Sequence, residues 1–131
     1  ANVQEVIVAE EYQEISAEEQ KKAESFFAKG RAVAATGNFD YAIEMFIQGL
    51  TIDPENTEAH AELREVSLKR KASGGKSMGF MESRKFSTNN RDDKLNMLNA
   101  EKLLAFDPGS TDYMQSLLQN AHQAGYFDTV M

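Results

Sequence analysis

The sequence predicts an all-α chain of stacked helical hairpins, on three observations. Apolar residues recur at spacings of three and four, which lines one face of a helix. Glycine and Asp-Pro pairs break those stripes where a helix must stop. The breaks themselves recur: Asp107-Pro108 repeats Asp53-Pro54 at an offset of 54 residues, and Gly125-Tyr126-Phe127-Asp128 repeats Gly37-Asn38-Phe39-Asp40 at an offset of 88. A 34-residue unit carrying one 20-residue insertion accounts for both offsets.

The unit is Ala23 to Asn56. Its first half places Phe26, Phe27, Gly30, Val33 and Ala34 on one helix face, and Gly37 ends that helix because glycine takes the left-handed conformation of a C-terminal cap. Its second half carries Phe39, Ala42, Ile43, Phe46, Gly49 and Leu50, and Asp53-Pro54 stops it. Gly30, Ala42 and Gly49 are small where the two helices of a hairpin touch. Neither helix can bury its stripe alone, so the unit requires neighbours.

The spacing of Phe26, Gly30, Gly37, Phe39, Ala42, Phe46, Leu50 and Pro54 resembles a tetratricopeptide repeat, with Lys29 departing from the family's usual Leu. The resemblance implies a helix-turn-helix solenoid of about two and a half repeats and five helices. The repeats are 23–56, 57–110 with a long loop at 72–91 inserted, and 111–131 truncated. The family's function implies a scaffold that binds a protein or peptide in a concave groove lined by the first helix of each hairpin. Carried over position by position, that groove comprises Phe27, Arg31 and Ala34, then Ala61, Glu65 and Leu68, then Gln115, Gln119 and His122. Phe27 and Arg31 stand where some relatives hold a chaperone's terminal carboxylate with Lys and Asn, so that clamp is absent.

In chain order, residues 1–15 form an acidic arm with no clear period, expected as a mobile tail or as a further element packed on the first repeat. Ser16 with Glu19 reads as a capping box that starts a helix near Ala17. Helices are expected near 17–36, 39–52, 57–71, 92–106 and 111–124, in antiparallel pairs and without a sheet outside the arm. The third carries Ala59, Leu63, Val66 and Leu68 and ends in Lys69-Arg70-Lys71, cations suited to the negative end of the helix dipole. Residues 72–91 are rich in glycine, serine and asparagine, and are expected as the most mobile interior segment, removable at little cost. Asp92 and Asp93 open the fourth helix, whose stripe is Leu95, Leu98, Ala100, Leu103, Leu104 and Phe106. Asn96 stands where the first repeat has Ala42 and weakens that packing position. The last helix turns Met114, Leu117, Leu118 and Ala121 inward towards a partner of which only the first turn remains, so closure of this open end is expected from a second copy or a swapped helix, as a homodimer, or else from the N-terminal arm.

Charge is unevenly shared. Lys69, Arg70, Lys71, Lys76, Arg84, Lys85 and Arg91 against Glu82 give residues 69–91 a charge of +6, leaving −13 on the rest of a chain whose net charge is −7. A basic loop on an acidic body suits an anionic partner or its own body, and makes nucleic-acid binding weak and salt dependent. No cysteine is present, which excludes thiolate metal sites, and no apolar run reaches the roughly 20 residues of a membrane helix. Gly74-Gly75-Lys76-Ser77 lacks the earlier glycine of a phosphate loop, since Arg70 occupies that position. His60 and His122 have no metal-ligand neighbours in sequence and read as surface or groove residues. No nucleophile motif, metal or cofactor is expected, and catalysis is not expected. The chain begins without Met and stops inside a repeat, so it reads as a fragment, with a cytoplasmic location as the default expectation.

Overall fold

The computed structural model describes residues 15–126. Six helices and no strand occur among them: α1 (Ala17–Ala35), α2 (Phe39–Ile52), α3 (Thr57–Ala72), α4 (Phe80–Ser83), α5 (Asp93–Phe106) and α6 (Thr111–Gln123). The expected helix bounds hold to within a residue, and α4 is an addition inside the segment read as loop. The acidic arm, apart from residue 15, and residues 127–131 lie outside the described residues.

Local chemistry fixes the ends. Ser16 caps α1 by accepting the Glu19 amide at 3.1 Å, and its hydroxyl donates to the Glu19 carboxylate. Asn38, Asn56, Asp92 and Ser110 cap α2, α3, α5 and α6 in the same way, each accepting the amide three residues on. Gly37 and Gly125 sit at φ near +86° and +85°, and the amide after each reaches back to a carbonyl five residues earlier, Asn38 to Val33 and Tyr126 to Ala121. The Asp-Pro turns also match: Asn56 bonds back to Asp53, and Ser110 to Asp107.

α1 and α2 form an antiparallel hairpin. A Cβ on Gly30 would lie 2.8 Å from the Phe46 ring, and one on Gly49 would collide with the Phe27 ring. Contacts therefore advance along α1 as they retreat along α2, and the two rings stack at 6.0 Å. α3 returns beside α2, with Arg70 Nε donating to Asp40 at 2.6 Å across their far ends. α5 and α6 form a second tight hairpin, in which Leu117 and Ala121 are buried. The core runs through Phe27, Ile43, Phe46, Leu50, Leu63 and Met97.

Antiparallel pairing fails at α3 and α5. His60 meets Glu101, Ser67 donates to the Ala105 carbonyl, and Arg70 lies 4.4 Å over the Phe106 ring. Contacts advance together along both helices, so the two run in the same sense where they meet. The physical reason is the connection between them. Residues 73–92 are long enough to return the chain to the starting end, which a hairpin turn cannot do.

The second half of that connection is fastened to α5. Asn96 accepts the Asn90 amide at 2.7 Å and donates to the Asn90 carbonyl at 2.8 Å, while Asn99 donates to Ser87 at 2.8 Å. Phe86 lies 4.5 Å below the Lys102 ammonium. Asn96 is thus a buried clasp rather than a weak packing position. Leu68 and Leu95, expected inward, are exposed, because the buried faces run through Leu63, Val66 and Ser67 on α3 and through Asn96, Met97, Ala100 and Leu104 on α5.

Candidate functional site

Where α3, α5 and α6 meet, a cleft of about 320 Å³ opens. Leu63, Leu104, Ala105, Met114, Leu117 and Leu118 give it an apolar lining. Ala61 and Arg64 line it from α3, and Arg64 makes no ion pair with a described residue. Leu118 remains 38% exposed at its mouth. On the apolar face of α6, Leu117 and Ala121 are buried and Met114 is half-buried.

His60 and Glu101 stand in the wall of this cleft, with side chains only 12% and 8% exposed. His60 Nε2 lies 2.7 Å from the Pro54 carbonyl, which can only accept, so that nitrogen carries a proton. His60 Nδ1 faces Glu101 Oε2 at 2.9 Å, and neither atom has another partner among the described residues. A proton on Nδ1 gives that nitrogen a hydrogen to direct at the Glu101 carboxyl, and the ring is then an imidazolium facing an acid. Burial is the strongest single influence on His60 and opposes its charge. The hydrogen bond and charge of Glu101, helped by the Pro54 carbonyl and Asp53, together outweigh it and raise the pKa above 6.5. His60 is therefore a buried member of an ion pair, not a surface or groove residue. The signal for it was Glu101, an acid in the apolar stripe between Met97 and Leu104.

The expected groove residues are dispersed. Ala61 lines the cleft. Phe27 is buried beneath Gly49 and cannot meet a partner. Arg31 Nε and a terminal nitrogen clasp Glu62 at 2.6 and 3.2 Å, and its other terminal nitrogen takes Glu24 at 2.6 Å, tying α1 to α3. Glu62 first and Glu24 second push that guanidinium's pKa still higher, so it is a fixed charge. Ala34 packs half-buried against the core, and Glu65 and Leu68 are exposed outside the cleft. Gln115 and His122 are exposed on α6, while Gln119 borders a separate polar cleft with Asn90, Asn96 and Asn120.

The basic segment also divides. Arg70 belongs to the seam between α2, α3 and α5, held by Asp40 and Phe106. Lys71 reaches the turn at Gly109. Lys85 pairs with Glu82 at 3.2 Å, and Arg84 lies 5.5 Å over the Phe80 ring. Lys69, Lys76 and Arg91 are exposed.

Among the described residues no group of three His, Cys, Asp or Glu could hold a metal ion, and no helix is long and apolar enough to cross a membrane. No family model matches the chain, and neither a curated protein nor a solved structure matches it.

Proposed function

We propose that the chain is a protein-interaction module of the tetratricopeptide-repeat kind, which holds a bulky apolar side chain of a partner peptide in the cleft between α3, α5 and α6. The observation that carries this reading is the cleft itself, with an apolar lining and an Arg64 that makes no ion pair with a described residue. Pockets that anchor one large side chain provide most of the affinity of peptide contacts. Arg64 favours an acidic neighbour of that anchor in the partner. His60 and Glu101 are committed to each other, so they shape the wall and offer recognition without bond chemistry. The tight α1–α2 hairpin and the matching Asp-Pro turns support the repeat resemblance. The shared direction of α3 and α5 is a departure from the family pattern, and it moves recognition from a continuous groove to this one cleft.

Selection of random displayed peptides on the purified chain tests the proposal. Selected peptides are expected to share a bulky apolar residue beside an acid, and to bind the Ala61→Arg variant roughly tenfold more weakly. Ala61 is exposed, so the substitution leaves the helices intact. Peptides that bind Ala61→Arg and Leu118→Glu as well as the original chain would overturn it.

A further inference from the structure

We propose that α4 is a membrane-surface anchor, in which Phe80 and Met81 enter the headgroup region of an anionic bilayer while the neighbouring cations bind the headgroups. Phe80 and Met81 are each 74% exposed, whereas no other large apolar side chain among the described residues exceeds 46%. They are adjacent, and neither borders the clefts described above. A protruding pair of this kind has no concave complement of its own. It suits a soft, flat surface that takes in a tip better than it suits a peptide, which needs a groove.

Charge selects the surface. Lys76, Arg84 and Lys85 lie within four residues of the apolar pair. Lys76 and Arg84 make no ion pair with a described residue, and the exposed Lys85–Glu82 contact opens at little cost. The Arg84 guanidinium rests over the Phe80 ring, so a cation accompanies the inserting side chain. Residues 73–92 carry Lys76, Arg84, Lys85 and Arg91 against Glu82 and Asp92, a charge of +2 that leaves −9 on the remainder, so an anionic surface attracts the connection and repels the body. That asymmetry turns the tip towards the lipid. Nucleic acid would use the cations and has no role for the exposed Met81 thioether.

Co-sedimentation of the 131-residue chain with vesicles tests this. Binding is expected to phosphatidylcholine vesicles containing phosphatidylserine, to be absent with phosphatidylcholine alone, and to weaken with salt. Replacing the pair, Phe80→Ser with Met81→Ser, is expected to weaken binding roughly tenfold with an unchanged circular dichroism melt. No enrichment on the anionic vesicles, or equal binding by the double variant, overturns the proposal. So does tighter binding to polyglutamate or single-stranded DNA that also depends on Phe80 and Met81, which would assign the tip to a dissolved acidic partner.

Discussion

At the scale of the residue, His60 ties the charge state of the protein to its folding. Its folded pKa lies above 6.5, so the folded chain binds its proton more tightly than the unfolded chain does. Stability from this source is fully present below pH 6.5 and is lost as pH rises through the folded value. Above that value Glu101 faces a bare Nδ1 lone pair, and a buried carboxylate is left without its partner. Urea denaturation at a pH below 6.5 and again at alkaline pH is expected to show the decline. Glu101→Gln should flatten it, because the amide can donate to the neutral Nδ1. A profile as steep in that variant as in the original chain would assign the decline to another group. Glu101→Ala removes what offsets the burial of His60, so the ring is left neutral with an unsatisfied buried Nδ1, at an expected cost of about 2 kcal/mol.

At the scale of the element, the helices were legible because their signals are local. Ser16, Asn38, Asn56, Asp92 and Ser110 each cap within three residues, and Gly37 and Gly125 stop helices by their own conformation. The α1–α2 packing was legible too, since Gly30 and Gly49 face rings on the adjacent helix of one hairpin. The connection was not. The clasp of Asn90 on Asn96 spans an irregular segment and a helix, and no periodicity records it. Asn96 read as a defect in an apolar stripe when it is the point that fixes the segment before α5. Asn96→Ala is expected to speed hydrogen exchange at the Asn90 amide about fivefold, the loss of a bond worth about 1 kcal/mol. Amides in α1 and α2 should be unaffected, and unchanged exchange at Asn90 would show that Asn96 does not hold the connection.

At the scale of the whole molecule, the repeat spacing marked the five longer helices but not how the two hairpins meet. Contacts such as His60 with Glu101 and Ser67 with Ala105 join residues about forty apart, beyond what a pattern of spacings can report. Because α3 and α5 run in the same sense, residues 73–92 must travel the length of α5. Its 14 residues rise about 21 Å, a span that about seven extended residues just cover. Removing residues 72–91 therefore cannot leave this arrangement in place, although loop-closure cost alone would permit it. The same geometry sets the chain's behaviour in company. The α5–α6 hairpin is a tethered ligand for its own α1–α3, held at an effective concentration on the order of millimolar by residues 73–92. Copies at micromolar concentration do not displace it from that seam, and no exchange of hairpins is expected in the intact chain. Cut the connection below the span of α5 and that local concentration falls to zero, while every contact across the seam stays available between two copies. Each hairpin then docks on its neighbour, and sedimentation of the shortened chain should show an exchanged dimer.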